Sequence, residues 1–95
     1  MTMDKRIYKY PLNAIGSQQV MIPKGAEILT IQNQAEIACL WALVDTDQAP
    51  ELRTIEIFGT GQKVPMVAAY ERKYISTFQI DGGKFVFHAF ERIDS

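Results

Sequence analysis

The fold of this chain is decided by the eight-residue stretch IACLWALV, which runs from Ile37 to Val44. In an extended strand, alternate residues point to opposite faces, and both faces of this stretch are apolar. One row holds Cys39, Trp41 and Leu43, and the other holds Leu40, Ala42 and Val44. A helix is conceivable, but eight residues between turn-forming clusters favour a β-strand that is covered on both faces. We therefore expect a second layer of structure, or a second subunit, to lie over this strand.

Short runs on either side of this stretch predict further strands. Their apolar residues alternate, and clusters of Gly, Pro, Asn and Asp separate them. We predict these strands near Arg6–Tyr10, Gln19–Ile22, Glu27–Gln32, Arg53–Phe58, Tyr74–Ile80 and Lys84–Phe90. The expected fold is mostly β (all-β, or β-rich α+β): a small antiparallel barrel or two-layer sandwich of about six or seven short strands, in a single domain over residues 1–95.

One segment, Val64–Arg72, is open between a short helix and an irregular loop. Pro65 suits the first turn of a helix, whereas the β-branched Val67 does not favour one.

The C-terminal hairpin is the clearest local feature. Gly82 and Gly83 can adopt the positive φ values that a two-residue hairpin turn needs. This turn predicts the cross-strand pairs Ile80 with Phe85, Phe78 with Phe87, Thr77 with His88 and Ile75 with Phe90. One face of the hairpin is then strongly apolar, and the face that carries His88 is mixed.

Composition narrows the range of functions. The chain has 95 residues, 22% of them charged, and a formal net charge of −1, so it lacks the basic footprint typical of nucleic-acid-binding proteins. We do not expect nucleic acid as a partner. The longest mainly apolar run is too short to span a bilayer, so we expect no membrane partner either. The single cysteine, Cys39, excludes an internal disulfide and favours a cytoplasmic location.

No set of residues indicates catalysis. His88 is the only histidine, and Cys39 lies in the most apolar run, where formation of a thiolate is disfavoured. Asp45, Asp47 and Glu51 supply too few oxygen ligands for a calcium or magnesium shell and are expected to lie in a solvated loop. We therefore predict a protein that is not an enzyme and has no catalytic residues, metal or cofactor.

A glycine-containing loop is the candidate ligand site. Gly59, Thr60 and Gly61 follow a predicted strand, and backbone N–H groups in such a loop attract anions. Lys63 and Arg72 would add positive charge, which suits a small nucleotide-like ligand. The spacing of a phosphate-binding P-loop is absent, so an ordinary turn is the alternative.

Four tyrosines are the candidate contacts for a protein partner. Tyr8 and Tyr10 lie among basic residues near the N-terminus, and Tyr70 and Tyr74 lie in a second basic cluster. Aromatic rings interleaved with cations can bind a protein surface or an anionic ligand. The alternative is a sheet edge on which basic residues discourage aggregation.

Several blocks, taken in order, resemble a family of small phage- and prophage-encoded proteins of uncharacterised function. These blocks are Ile7–Leu12, Ile22–Ala26, Cys39–Asp45, Ile57–Gly61, Tyr74–Gln79 and Phe85–His88. The resemblance brings no catalytic residues with it. It implies an accessory protein made in the cytoplasm of a bacterial host.

The leading functional hypothesis is a binding protein that inhibits or modulates a host protein, for example one of a defence system. The alternatives are a sponge for a nucleotide-like signalling molecule and a minor virion or assembly component. We also expect a homo-oligomer, because the stretch Ile37–Val44 is apolar on both faces.

Overall fold

Seven antiparallel strands form two sheets in the computed structural model, which describes residues 4–13 and 15–94. The strands are β1 (Arg6–Pro11), β2 (Gly16–Pro23), β3 (Glu27–Gln34), β4 (Ile37–Val44), β5 (Pro50–Gly59), β6 (Tyr70–Ile80) and β7 (Phe85–Asp94). One sheet has the order β1-β4-β3 and the other has the order β2-β5-β7-β6. The described residues contain no helix. The prediction of a mostly β fold is therefore confirmed, in its sandwich form.

Every predicted strand is present, and some are longer than predicted. β2 begins at Gly16, β5 at Pro50 and β6 at Tyr70, three or four residues earlier than the sequence pattern suggested. The added residues are mostly exposed. Hydrophobic alternation does not mark such residues, because they extend past the core.

β4 is the central strand of its sheet and supplies one wall of the core. Its inward row packs against the four-stranded sheet and is fully buried: Leu40, Ala42 and Val44. Truncation of a buried leucine such as Leu40 to alanine typically costs about 2–5 kcal/mol. The opposite sheet contributes Ile22, Ile55, Ile57, Phe78 and Ala89 to the same core.

The outward row of β4 is less covered than expected. Trp41 and Leu43 are only half-buried and Ile37 is exposed, so the second layer covers one row of β4 and not both. Cys39 is the exception, with 3% of its surface exposed.

A polar bridge explains why Cys39 is buried on an outward face. Lys9 lies opposite Trp41, and Gln34 lies opposite Ile37, on the two strands that flank β4. The Lys9 Nζ atom donates a hydrogen bond of 2.7 Å to Gln34 Oε1. Since Cys39 lies midway between Trp41 and Ile37, the two joined side chains cross β4 directly above it.

The two sheets are joined along one side by Ser76. The Ile31 N–H donates to Ser76 Oγ at 3.0 Å, and the Ser76 hydroxyl donates to the Ile31 carbonyl at 2.6 Å. One hydroxyl thus satisfies both main-chain groups of an edge residue, as a neighbouring strand would. Ser76 is aimed at β3 next to a bulge in β6 between Tyr74 and Ser76.

The same bulge corrects one predicted pair of the C-terminal hairpin. Ile80 pairs with Phe85, Phe78 with Phe87 and Thr77 with His88, as predicted. Phe90, however, lies opposite Tyr74 and not Ile75. A bulge places two residues against one on the partner strand, and this shifts the register beyond it.

The β3–β4 hairpin turns at Ala35 and Glu36, because β3 extends two residues beyond the predicted strand Glu27–Gln32. Both have positive φ angles, 52° and 66°, in a turn type that usually requires Asn or Gly. Two bonds hold the turn: within the hairpin the Glu36 N–H donates to Asn33 Oδ1, and from the β6–β7 turn the Asp81 N–H donates to Glu36 Oε2, both at 2.8 Å. The tips of the β3–β4 and β6–β7 hairpins are therefore bonded to each other.

Residues 60–69 form a crossover over the outer face of the four-stranded sheet. β5 and β6 both run antiparallel to β7, which lies between them, so β5 and β6 are parallel to each other. Two parallel strands of one sheet need a connection that returns along the sheet. Gly59 lies opposite Phe87 and Tyr70 opposite Asp94, so this crossover segment returns over seven residues of β7, or ~23 Å. It is irregular, so Val64–Arg72 contains no helix: residues 64–69 form an irregular loop, and Tyr70–Arg72, which neither alternative placed in a strand, begin β6.

Replacement of Ser76 by alanine is expected to lower the free energy of unfolding by about 1–3 kcal/mol, because a buried N–H and a buried carbonyl of Ile31 lose their partner. Urea denaturation measures the change. Ser17→Ala, at an exposed strand serine, is the matched control and is expected to stay within ~0.5 kcal/mol of the parent. Equal stability of the two variants would contradict the role assigned to Ser76.

Candidate functional site

An apolar groove of about 660 Å³ lies between the crossover segment and the four-stranded sheet. Its walls are formed by Val64, Met66, Val67, Tyr70, Glu71, Arg72 and Phe90. Met66 is 88% exposed, and Val64 and Val67 are also exposed. Exposed apolar side chains that gather around one concave surface are typical of binding sites.

A paired arginine fixes one wall of the groove. Arg72 Nε donates to Glu56 Oε1 at 2.7 Å, and Arg72 Nη2 donates to the Tyr70 hydroxyl at 3.0 Å. Arg72 Nη1 donates to the Pro65 carbonyl and so ties the crossover segment to β6. The pKa of Arg72 is raised, mainly by the hydrogen bond with Glu56, while burial acts in the opposite direction. The guanidinium is thus committed to internal partners.

Aromatic rings form the floor of this region. The Arg72 guanidinium lies 5.4 Å from the centre of the Phe58 ring and 5.1 Å from that of Tyr70. Phe90 meets Phe58 edge-on at 6.0 Å and Tyr74 edge-on at 5.6 Å between ring centres. Such contacts, together with the ion pair, hold the floor in one arrangement.

A chain of hydrogen bonds anchors the start of the crossover segment. His88 Nε2 lies 2.7 Å from Thr60 Oγ1, and His88 Nδ1 lies 3.0 Å from Thr77 Oγ1. The Tyr74 hydroxyl continues the chain with a 2.7 Å contact to Thr77 Oγ1. The predicted pairing of Thr77 with His88 is confirmed, and both ring nitrogens of His88 are engaged by neutral hydroxyls.

The candidate ligand loop has the geometry of a turn. The Gly59 N–H donates to Gln62 Oε1 at 2.9 Å, the Thr60 N–H to the Val86 carbonyl at 3.1 Å, and the Gln62 N–H to the Gly59 carbonyl at 3.0 Å. Three of the N–H groups that would attract an anion therefore have internal acceptors.

The five residues predicted for the ligand site are also not brought together. Gly59 and Thr60 border a separate hollow of about 290 Å³, whereas Arg72 borders the groove. Gly61, with a φ of 87°, and the exposed Lys63 line neither of these two hollows. Binding of a nucleotide-like ligand stays a prediction, and the structure offers it no assembled cationic site at this loop.

The four candidate tyrosines lie on two separate surfaces. Tyr8 and Tyr10 lie on β1 opposite Ala42 and Leu40, and therefore on the core side of the three-stranded sheet. Tyr10 packs against the core, and burial, with a smaller contribution from Tyr8, raises its pKa. Tyr70 and Tyr74 lie on the outer face of the other sheet, at and beside the groove. Only Tyr70 and Tyr74 of the four belong to the candidate site.

Two further findings concern residues 4–13 and 15–94. No group of three or more His, Cys, Asp or Glu side chains within these ranges could hold a metal ion. Nor do they include a helix with the length and apolarity needed to cross a membrane. Asp45 instead stabilises its own turn, where its Oδ1 accepts from the Asp47 N–H at 3.0 Å.

The apolar wall of the groove was not predicted from the amino-acid sequence. Val64, Met66 and Val67 belong to the run VPMVAA, which follows neither a helical nor a strand period. A useful signal was nevertheless present, since a connecting segment with no charged residue over six positions is unusual for a surface loop.

Removal of the Arg72 guanidinium is expected to loosen the crossover segment. In Arg72→Met the bond to the Pro65 carbonyl is lost, so trypsin should cleave after Lys63 ~3–10 times faster than in the parent. Arg53→Met is the matched control, because Arg53 is likewise paired with a buried glutamate, Glu91, but bonds to the Ala26 carbonyl and not to the segment. Cleavage after Lys63 at the same rate in both variants would show that Arg72 does not restrain the segment.

The family comparison covers nearly the whole chain. A family model described as "Domain of unknown function (DUF7352)" matches residues 3–95. Comparison with curated proteins and with solved structures gives no match. The groove, the crossover segment and the sheet beneath it all lie within the matched residues, and the chain belongs to the DUF7352 family.

Proposed function

We propose that this chain is a non-enzymatic binding protein that holds a partner protein in the groove between the crossover segment and the four-stranded sheet. The observation that carries this proposal is the exposure of Met66, Val64 and Val67 above a fixed aromatic floor. Apolar side chains around a concave surface lose contact with water when a partner covers them, and this is the main source of binding energy.

The chemistry of the groove favours an apolar anchor from a protein over a charged ligand. Arg72 is paired with Glu56 and bonded to Tyr70, so its charge is already balanced within the fold. A phosphate would have to compete with Glu56 for the guanidinium. An aliphatic or aromatic side chain would instead fill the apolar space without disturbing that pair. Met66, whose side chain is flexible, can adapt to the shape of such an anchor.

The internal bonds of the reactive side chains support binding over catalysis. Both ring nitrogens of His88 contact threonine hydroxyls, and the Cys39 thiol lies under the Lys9–Gln34 bridge. A histidine that activates a hydroxyl nucleophile is usually oriented by a carboxylate at its other nitrogen, whereas both partners of His88 are neutral hydroxyls. A cysteine nucleophile needs access to its substrate.

The resemblance to phage-encoded proteins gives this proposal a setting. In that setting the chain is an accessory protein in the cytoplasm of a bacterial host, and its partner is a host protein such as a component of a defence system. A protein of this kind needs a rigid surface with a few strong anchors and no chemistry of its own.

The partner is to be identified by photo-cross-linking in lysate from a photoreactive residue at position 67, and its affinity is then to be measured with purified components. Met66→Asp should weaken binding at least ~10-fold, because a carboxylate in an apolar contact loses its hydration. Ile7→Asp is the control: Ile7 is also an exposed apolar residue, but it lies opposite Leu43 on the outer face of the other sheet and does not line the groove. This control should bind within about twofold of the parent.

Two outcomes would contradict the proposal. One is an affinity for Met66→Asp that equals that of Ile7→Asp. The other is cross-linking of the same partner from position 8 and not from position 67, which would move the contact to the tyrosines of β1. Circular dichroism of each variant checks that the fold is retained.

A further inference from the structure

β2 is an edge strand of unusual composition. It lies at the end of the order β2-β5-β7-β6, and within the described residues no strand pairs with its outer side. Its sequence, GSQQVMIP, runs for eight residues without a charged side chain. The unpaired N–H and carbonyl groups of such an edge are a template for another strand.

The other three edge strands are protected. β1 carries Arg6 and Lys9, and β6 carries the charged run Glu71–Lys73. β3 carries Glu27, and its main chain at Ile31 is bonded to Ser76. Charged side chains and covering contacts are the usual means by which edges avoid pairing. β2 has neither along Gly16–Pro23, so it is the edge most open to pairing.

Two features of the outer face next to β2 also lack a neighbour. Met21 and Leu52 lie opposite each other on β2 and β5 and are 54% and 56% exposed. Beside them, a polar hollow of about 470 Å³ is bordered by Ser17, Gln18, Gln19, Thr54, Arg92 and Asp94 and ends at β2. A strand added to β2 would cover Met21 and would give the hollow a second wall.

We propose that the chain forms a homodimer in which β2 pairs antiparallel with β2 of a second copy across a two-fold axis. The two four-stranded sheets then form one continuous sheet of eight strands. A second copy fits this edge because an uncharged strand meets itself without repulsion between like charges, whichever register the pairing adopts. When the two-fold axis passes through β2 between Gln19 and Met21, the Met21 and Leu52 side chains of both copies lie on the same face of the joined sheet.

The dimer has a geometric consequence for the groove. A two-fold axis perpendicular to the joined sheet keeps both outer faces on the same side. Both crossover segments, and both grooves, would then face one way and could engage a symmetric partner together. The dimer itself does not depend on whether the groove has a partner, so the two proposals can fail separately.

Light scattering after size-exclusion chromatography tests the dimer on the full chain. At about 100 μM the parent should have twice the monomer mass of 10.8 kDa, since association depends on concentration. Gln19→Lys places lysines near each other across the axis and should raise the dissociation constant of the dimer at least ~10-fold. Gln32→Lys is the matched control, because Gln32 is an exposed strand glutamine on the other sheet. It should leave the mass unchanged.

A mixing experiment sharpens the test. Gln19→Lys and Gln19→Glu should each dimerise poorly alone, and an equimolar mixture should recover the dimer because the introduced charges are then opposite. A monomeric parent would overturn the proposal. So would loss of the dimer in Gln32→Lys but not in Gln19→Lys, which would assign the interface to the outer face of the three-stranded sheet.

Hydrogen exchange on the parent protein tests the same contact without a substitution. The outward N–H groups of residues 17–22 should become more protected as concentration rises, while those of β1 should not change. Rapid exchange of these N–H groups at a concentration where light scattering gives the dimer mass would overturn the proposal.

Discussion

β7 lies between β5 and β6, and this placement forces the chain to return across the outer face of the four-stranded sheet. A tight turn can join only antiparallel neighbours, so the connection between two parallel strands must travel the length of the sheet. The crossover segment is the result, and most of the apolar wall of the groove belongs to it. The groove thus exists because of strand order, and its floor is the part of the sheet that the segment crosses.

Two ion pairs on opposite faces of that sheet show how charge is accommodated next to the core. Glu56 faces outward and binds Arg72, whereas Glu91 faces inward and binds Arg53, with Arg53 Nη2 donating to Glu91 Oε1 at 3.0 Å. Arg53 Nη1 also donates to the Ala26 carbonyl at 2.9 Å, which links the sheet to the start of β3. Among the described residues, no buried polar side-chain atom lacks a hydrogen-bond partner. This is the pattern expected where buried charge is tolerated only when paired.

The amino-acid sequence predicted the strands and most of the C-terminal register, because these depend on alternation and on glycine at the turn. It did not predict the bulge at Ile75. Tyr74 pairs with Phe90 and Ser76 pairs with Ala89, so the pairing register shifts by one residue there, and no local sequence pattern indicates this shift. It placed Gly59 and Arg72 in one site, but the two lie at different hollows because the crossover segment separates them in space. The pair of Arg72 with Glu56 depends on the position of β7 between their strands, which is a property of topology and not of any short motif.

The turn at Ala35 and Glu36 links the formation of the two sheets. Left-handed backbone at a residue with a side chain is unfavourable by roughly 1–2 kcal/mol, and here two such residues are adjacent. The bonds of Glu36 to Asp81 and of Asn33 to the Gln79 carbonyl compensate for this cost, but only once the C-terminal hairpin is in place. The β3–β4 hairpin is therefore not an autonomous folding unit. The turn residues of this hairpin become stable only together with the last strands of the chain, and so does the wall of the core that β4 supplies. The two layers are therefore expected to fold and unfold in one cooperative step.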